Sequence, residues 1–463
     1  MQNTLTDKMK KILVIVMIAG CFFSTLNQTL LNVALSDLMK TFEVEPTTVQ
    51  WLATGFMLVN GILVPITAFL MKRFSTRQLF ISSMLFLLIG SIVAACAMNF
   101  GMLLTGRMIQ AAGAGIIIPL MMTVIVHLYP AEKRGAIMGK MGFAIIFAPA
   151  IAPTLAGFVV EYLSWRWLFL GLIPFVVLII LLAMKYLMNV QDGEKTKLDV
   201  LSVIYSTLGF GFLLYGFSSA GSLGWSSWII LTCIILGLLF TVVFGMRQLH
   251  SKEPLLNITV FKYGMFSVTT IVNVAITILM YADLILLPMY LQDGRGISAF
   301  EAGLILLPGA IINAFLSPVT GKLFDRFGAK PLFITGLLLI AISMYMVIDL
   351  TSTTTILFIV IRTIILRIGL AFITMPLNTA ALNALPRELA SHGSAVNNTA
   401  RQLSGAIGTA VIITIYSTQL VLDPTDKVGS FAAAASDTYL YMLILAIIAF
   451  ISVLFIPSVK KAK

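Results

Sequence analysis

Charged side chains are scarce in this sequence, and so are cysteines. Only 11% of its 463 residues are Asp, Glu, Lys or Arg, whereas soluble domains carry roughly 25% charged residues. Because 59% of the residues are hydrophobic, the composition argues against a soluble enzyme. The three cysteines, Cys21, Cys96 and Cys233, lie far apart within apolar segments, so their spacing predicts neither a disulfide framework nor a metal site.

Histidines and nucleotide-binding motifs are equally sparse. His127, His250 and His392 show no metal-ligand spacing, and the chain has no phosphate-binding loop of the Walker type. We therefore expect no metal, no other cofactor and no ATP hydrolysis. An ion gradient is the energy source that this leaves.

Apolar segments long enough to cross a membrane fill the chain. A spanning helix needs about 20 apolar residues, and that length predicts fourteen spans in an all-α polytopic membrane protein. They lie at residues 12–35, 50–70, 78–98, 103–128, 136–160, 165–188, 200–219, 227–247, 264–290, 300–320, 331–349, 354–382, 394–418 and 437–457. An even number of spans places both termini on the same side of the membrane.

Basic residues are distributed unevenly between the loops. Of the 30 Lys and Arg residues, 22 fall on the side of the termini, four fall on the other side and four lie inside spans. Because Lys and Arg accumulate in cytoplasmic loops, we predict that both termini and the 189–199 segment are cytoplasmic. This distribution accounts for the net charge of +11, so nucleic acid is not an expected partner.

Two segments of the chain are similar to each other. Residues 60–80 and 313–333 align without gaps, and nine of the 21 aligned positions are identical. Each segment joins the second and third spans of a group of six, so we predict two six-helix halves separated by an insert of two spans. The predicted domains are residues 1–188, 189–263 and 264–463. Parallel six-helix repeats are typical of the major facilitator architecture, which places its substrate site between the halves.

The loop Gly321–Lys330, GKLFDRFGAK, resembles the major facilitator signature between the second and third helices of a half. The resemblance implies a turn whose acid and bases pair and cap helix ends, so that the loop latches one conformation. The first-half copy has Lys72 where the acid belongs, and we expect the stronger latch in the second half. The predicted latch residues are Gly321, Asp325, Arg326 and Gly328, together with Arg73 of the first half.

Spans four and five carry further motifs. Residues 107–115, RMIQAAGAG, are similar to the fourth-span signature of proton-driven drug exporters, and residues 148–157, APAIAPTLAG, resemble their antiporter signature. The second motif contains Pro149, Pro153 and Gly157. The chain is thereby identified as similar to the fourteen-span drug:proton antiporters of the major facilitator superfamily.

Within that family, Leu26–Leu31 and Phe56–Gly61 are most similar to the lincomycin-type multidrug exporters of Gram-positive bacteria. The resemblance implies a monomeric, proton-coupled multidrug efflux transporter of the bacterial plasma membrane that works by alternating access. Its expected partners are amphipathic antibiotics, dyes or detergent-like compounds, protons and the lipid bilayer. Two alternatives stay open: an exporter or flippase of an endogenous lipid or amphipathic metabolite, and an uncoupled uniporter or channel.

Four residues are candidates for proton coupling. The resemblance links Arg107 to proton transfer, although it could instead be an arginine that only reaches the outer interface. Asp283 is the only carboxylate well inside a predicted span, about 15 Å from the outer loop, and we expect it in a wet vestibule where a cationic drug releases its proton. Many members of the family have Asp where this chain has Asn27. Asp37 and Glu161, at the outer ends of spans one and five, are the next candidates.

Amide side chains are numerous for apolar helices. Some must hydrogen-bond between helices as part of the fold, and others could line the substrate cavity. The residues that we predict to line the cavity are Asn27, Gln28, Asn32, Gln110, Asn273, Tyr281, Asn398 and Gln402.

Overall fold

The computed structural model describes residues 7–190, 193, 199–251, 253–351, 353–420 and 426–454. Fourteen helices of at least 14 residues make up most of this described part, and each overlaps one of the predicted spans. They are α1 (Asp7–Phe42), α2 (Trp51–Arg73), α3 (Thr76–Ala95), α4 (Phe100–Leu128), α5 (Ala131–Tyr162), α6 (Ile173–Tyr186), α7 (Val200–Leu223), α8 (Trp228–His250), α9 (Gly264–Met289), α10 (Ala299–Phe327), α11 (Ala329–Tyr345), α12 (Ile356–Asn383), α13 (Ala390–Gln419) and α14 (Lys427–Leu454).

Twelve helical segments of the described chain are long and apolar enough to cross a membrane. Helix α11 is apolar but has only 17 residues. Helix α13 is not among the twelve, and Ser, Thr, Asn and Gly are frequent in its sequence. The prediction of fourteen spans is therefore not confirmed by length and composition, because one helix is short and the other is polar.

Local sequence signals explain where several helices begin and end. Ser75 and Gln78 form a reciprocal capping box at the start of α3, and Ser298 and Glu301 form another at the start of α10. Gly328 ends α10 with φ at 81°, a left-handed conformation that favours glycine. The chain can therefore turn directly from α10 into α11.

Helix ends that are distant in sequence gather on one side of the molecule, which we call the terminus side because α1 begins and α14 ends there. The Arg77 guanidinium at the start of α3 donates to the Met184 carbonyl near the end of α6. The Lys330 ammonium at the start of α11 donates to the Leu454 carbonyl at 2.9 Å. The other face is called the opposite side.

The first six and the last six helices pack in the same pattern. Helix α1 packs against α4, α5 and α6, and α9 packs in the same way against α12, α13 and α14. The pairs α2/α4, α3/α4 and α3/α6 correspond to α10/α12, α11/α12 and α11/α14. Because the corresponding helices are eight apart in the chain order, the packing follows the repeat that is visible in the sequence.

Helices α7 and α8 pack against each other, and α7 also packs against α2 and α13. The Leu214 side chain fills the space beside Gly61 of α2, and the rings of Trp51 and Tyr215 stack with their centres 5.8 Å apart. Beyond the other end of α7, the Trp225 indole donates to the hydroxyl of Thr414 on α13. Helix α7 thus lies where the first group of helices meets the last.

Candidate functional site

A buried ion pair lies within the second half. Asp283 of α9 accepts from the Arg362 guanidinium of α12 through Oδ1, and the same oxygen accepts from the Tyr439 hydroxyl of α14 at 3.1 Å. The side chains of Arg362 and Asp283 are 0% and 1% exposed. The other carboxylate oxygen, Oδ2, has no hydrogen-bond partner among the described residues. Three helices therefore meet at one carboxylate that keeps one free oxygen.

The surroundings of Arg362 hold its guanidinium in place. Its Nε donates to the Ser343 carbonyl at 3.1 Å, and the Ser343 hydroxyl donates back to the Arg362 carbonyl at 3.1 Å. The guanidinium carbon lies 4.7 Å from the centre of the Tyr439 ring, within the range of a cation–π contact. Loss of either partner of such a buried pair leaves an uncompensated charge, which costs about 3–5 kcal/mol.

The prediction of a wet vestibule around Asp283 is wrong for this conformation. The carboxylate is enclosed by α9, α12 and α14 and is already paired with Arg362, so a cationic drug has no access to it. Tyr439 and Ser343 were not predicted from the sequence. The internal repeat is the sequence feature that indicates this site. Asp283 lies 256 residues after Asn27, and Arg362 lies 255 residues after Arg107.

Arg107 is buried in the first half, so the alternative of an arginine that reaches the outer interface is wrong. Its Nη1 donates to the Asn27 carbonyl at 3.1 Å and to Gln110 Oε1 at 2.9 Å, and its Nη2 donates to the Gln28 carbonyl at 3.4 Å. The guanidinium carbon lies 4.5 Å from the centre of the Phe56 ring. None of these described contacts involves a carboxylate, because an amide occupies position 27.

The other two acids named from the sequence lie near the opposite side. Asp37 is half-buried near the end of α1, and Glu161 is exposed near the end of α5. Asp283 is the only acid among the fully buried charged residues that the structure describes. Burial and a charged partner therefore distinguish Asp283 from Asp37 and Glu161.

Most of the predicted cavity residues do not line open space in this conformation. Asn27, Gln110, Asn273 and Asn398 are buried, whereas Gln28, Tyr281 and Gln402 are half-buried. The side chain of Asn32 lies outside the described residues. Gln110 donates to Ser91 at 2.9 Å, Asn273 donates to the Asn397 carbonyl at 3.4 Å, and Asn398 donates to the Ser394 carbonyl at 3.0 Å. Such hydrogen bonds stabilise buried amides, because an unsatisfied polar group inside an apolar bundle is costly.

The loop signature of the second half joins the two halves. The Asp325 carboxylate, near the end of α10, accepts from the backbone N–H groups of Gly135 and Ala136 at 2.8 Å each. These groups belong to the N-terminal region of α5, where the helix dipole favours an anion. A Cβ atom on Gly321 would collide with the backbone of Gly135, so glycine permits this close approach.

The predicted bases of the latch have other positions. The Arg326 guanidinium lies 5.1 Å from the Phe327 ring centre, and Arg73 is exposed. The described partners of Asp325 are backbone N–H groups of the other half rather than the bases of its own loop. The expected pairing of acid with bases is therefore replaced by hydrogen bonds from Asp325 to the backbone of the other half.

Contacts between the halves continue along α5 and α10 from the terminus side. The Ser317 hydroxyl donates to the Gly139 carbonyl at 3.0 Å, and the Phe315 ring lies 5.4 Å from the Phe143 ring. At the terminus side, Arg134 of α5 also donates to the Asn383 amide oxygen at 2.7 Å.

Nearer the opposite side, one glycine of α5 and one of α10 have free space beside them. A Cβ atom on Gly157 of α5, or on Gly303 of α10, would have no other atom within 4 Å. Pro149, which precedes Gly157 by two turns, is half-buried, and the side chain of Pro153 lies outside the described residues. The contacts between α5 and α10 therefore close the terminus side of the molecule.

Comparisons with known proteins agree with this architecture. The model of the Major Facilitator Superfamily matches residues 17–409. The chain is 45% identical over 452 residues to the uncharacterized MFS-type transporter YcnB of Bacillus subtilis (strain 168), which covers 98% of this chain and 95% of that protein. It is 42% identical over 464 residues to the lincomycin resistance protein LmrB of the same organism, with coverage of 98% and 97%.

A solved structure shows the same fold. The proton:xylose symporter XylE superposes with a TM-score of 0.65 at 14% identity, covering 95% of each chain. At this identity the likeness concerns the fold alone.

Proposed function

Since this chain belongs to the major facilitator superfamily, and is therefore a membrane transporter rather than an enzyme, we propose that it is a proton-coupled exporter of amphipathic compounds. The similarity to proteins named for lincomycin resistance supports drug efflux, with lincosamide-like antibiotics, dyes and detergent-like compounds as substrates. The observation that carries proton coupling is the buried Asp283–Arg362 pair, because ionisable residues inside a membrane bundle are costly and serve functions such as proton relays.

The proton step begins at the free oxygen of Asp283. A proton added at Oδ2 neutralises the carboxylate, so Arg362 loses its only acidic partner among the described residues. The guanidinium then keeps the Ser343 carbonyl and the Tyr439 ring, and the attraction between α9 and α12 weakens. Protonation thus changes the relative stability of two arrangements of these helices, which is what coupling to alternating access requires.

The hydrogen bonds of Asp325 to α5 connect the two halves, so they must change during alternating access. For the terminus side to open, the carboxylate must leave the N–H groups of Gly135 and Ala136. We place the terminus side in the cytoplasm of a bacterial plasma membrane, on the strength of the 22 basic residues there. In this orientation, these hydrogen bonds must break before a substrate can enter from the cytoplasm.

The same proposal covers the domain layout. The repeated packing pattern supports two six-helix halves, 1–188 and 264–463, and fourteen crossings if α11 and α13 also span the bilayer. The segment 189–263, which contains α7 and α8, is then an insert. A single chain holds both halves and both arginine sites, so the proposed unit is a monomer.

Proton movement in liposomes tests the proposal. Purified protein is reconstituted with a pH-sensitive dye inside the vesicles, and lincomycin or a cationic rhodamine dye is added. The wild-type protein is expected to move protons on addition, the Asp283→Asn variant is not, and the control variant Asp37→Asn behaves as wild type. Compound accumulation without proton movement would indicate an uncoupled carrier, and an active Asp283→Asn protein would remove Asp283 from the mechanism.

A further inference from the structure

The terminus side is closed along two seams, and only one of them has the acid of the loop signature. At the α5–α10 seam, Asp325 caps the N-terminal region of α5. The equivalent seam is formed by α2 and α13, and there Lys72 occupies the position of the acid. A lysine near the N-terminus of α13 is disfavoured by the helix dipole. Closure of this seam therefore requires a different set of contacts.

A histidine at the start of α13 provides one of these contacts. The backbone N–H of Asn257, in the segment that follows α8, donates to His392 Nδ1 at 3.1 Å. Because a backbone N–H can only donate, Nδ1 accepts and the imidazole is neutral in this arrangement. A neutral side chain adds no second positive charge beside Lys72, whose charge acts on His392 electrostatically.

The segment that holds His392 is itself anchored to α7 and α8. The backbone N–H of Leu256 donates to Gln248 Oε1 at 3.1 Å, and Gln248 Nε2 donates to the Ser202 hydroxyl at 2.7 Å. Gln248 and Ser202 are buried, so both hydrogen bonds are shielded from water. A continuous set of hydrogen bonds thus runs from α7 through α8 and residues 255–257 to α13.

Apolar packing extends this set to the first half. Ile66 and Ala68 of α2 belong to one buried cluster with Leu255 and Leu256, with Phe210 and Phe244 of α7 and α8, and with Val396 of α13. In the same region, a Cβ atom on Gly193 would collide with the Arg73 carbonyl at the end of α2. Residues 255 and 256 therefore belong to a buried apolar cluster that includes side chains of both α2 and α13.

We propose that Gln248, residues 255–257 and His392 form a second latch, which closes the α2–α13 seam in place of the acid that Lys72 has replaced. In this proposal α7 and α8 have a function, because Ser202 of α7 and Gln248 of α8 hold the segment that forms the latch. The inference rests on the alternating access proposed above. Its test needs neither substrate nor proton gradient, so its failure is distinguishable from a failure of the proposed export activity.

The test measures how far the terminus side opens in the purified, full-length protein. Cys21, Cys96 and Cys233 are first replaced by serine or alanine, and spin labels on cysteines placed at Phe74 and Arg387 then report on the α2–α13 seam by pulsed electron resonance. The His392→Leu variant is expected to raise the population with a long label distance about fivefold, the effect of losing one buried hydrogen bond. The variant His392→Gln, which keeps an acceptor, should stay near wild type. The control His250→Leu removes a histidine of α8 that bonds only within its own helix.

Two further variants decide the result. Gln248→Leu breaks the network at its other end and should open the seam as His392→Leu does, which covers the case in which His392→Leu fails to fold. Lys72→Asp in the His392→Leu background restores an acid beside the N-terminus of α13 and should return the short distance. An unchanged distance in both His392→Leu and Gln248→Leu, or a Lys72→Asp variant that does not restore closure, would overturn the proposal.

Discussion

Arg107 and Arg362 occupy equivalent positions in the two halves, but their partners differ in charge. Arg362 is paired with the carboxylate of Asp283, whereas Arg107 is held by the carbonyl of Asn27 and the amide of Gln110. Both arginines are buried and both lie over an aromatic ring. The two sites thus have similar surroundings, and only one of them contains a carboxylate beside its arginine.

The two halves therefore differ in the charge that surrounds their equivalent arginines. A guanidinium cannot be deprotonated under ordinary conditions, so the Arg107 site holds a fixed charge. The Arg362 site contains an acid, Asp283, whose charge holds α9 against α12. The proton coupling proposed above therefore belongs to the second half, and the first half has no equivalent acid beside Arg107.

The largest effect is expected from removing Arg362. The Arg362→Ala variant leaves Asp283 buried without its cation, so we expect a loss of about 3–5 kcal/mol in stability together with loss of proton movement. Thermal melting of the detergent-purified protein measures the first effect. The double variant Asp283→Asn, Arg362→Gln should melt much nearer to wild type while staying uncoupled. A single variant that melts as wild type would mean that the pair is not desolvated as the structure indicates.

A smaller effect is expected when Arg107 is removed, because no acid is left unpaired. Arg107→Ala should lower the melting temperature by less than half as much as Arg362→Ala does. The matched control is Arg166→Ala, which changes a half-buried arginine near the opposite side. Equal losses at Arg107 and Arg362 would show that hydrogen bonds, rather than the charge of the partner, determine the stability of both sites.

The difference between the two arginine sites can also be removed by giving the first half an acid like that of the second. Asn27→Asp places a carboxylate beside Arg107, at the position equivalent to Asp283. In the Asp283→Asn background, we expect this change to restore part of the drug-driven proton movement. The measurement is the liposome assay described above. If Asn27→Asp restores nothing, coupling depends on features that only the second half has, such as the Tyr439 hydroxyl.

The sequence predicted those features that depend on local patterns, and it missed those that depend on contacts between distant helices. Apolar length predicted the helices, and the repeat predicted which spans correspond, because both are properties of the chain itself. The partners of Asp283 come from α12 and α14, which lie 79 and 156 residues further along the chain, and no local pattern joins them. Asp325 binds backbone N–H groups, which every residue except proline has, so its target could not be read from side chains. The exposure of Asp283 was also misjudged, since counting residues along one helix does not reveal which side chains of other helices enclose it.

A smaller effect is expected when the α5–α10 seam is compared with the α2–α13 seam on the terminus side. Asp325→Asn removes the charge that caps α5 and should weaken closure by about 0.5–2 kcal/mol, whereas Lys72→Ala should change it little or favour it. The rate at which a cysteine at Ser317 reacts with a thiol reagent applied from the terminus side measures closure, because Ser317 is buried between the halves. Equal reaction rates in the two variants would show that the seams do not differ in the way their sequences suggest.

The smallest effect is expected at a second ion pair, which joins the same residue types near the surface. Asp199 accepts two hydrogen bonds from Arg247 at 2.9 Å each, and the two side chains are 24% and 40% exposed. Hydrogen bonding from Arg247 lowers the pKa of Asp199 from 3.8 to about 2. Since the folded value lies below the ordinary one, this pair stabilises the fold fully above about pH 5, and the contribution is lost only as the pH falls toward 2. We therefore expect Asp199→Asn to cost at most about 1 kcal/mol, and to cost the same at pH 5.5 and pH 8, when melting is compared with that of the wild type. A loss as large as that of Arg362→Ala would show that burial is not what separates the two pairs.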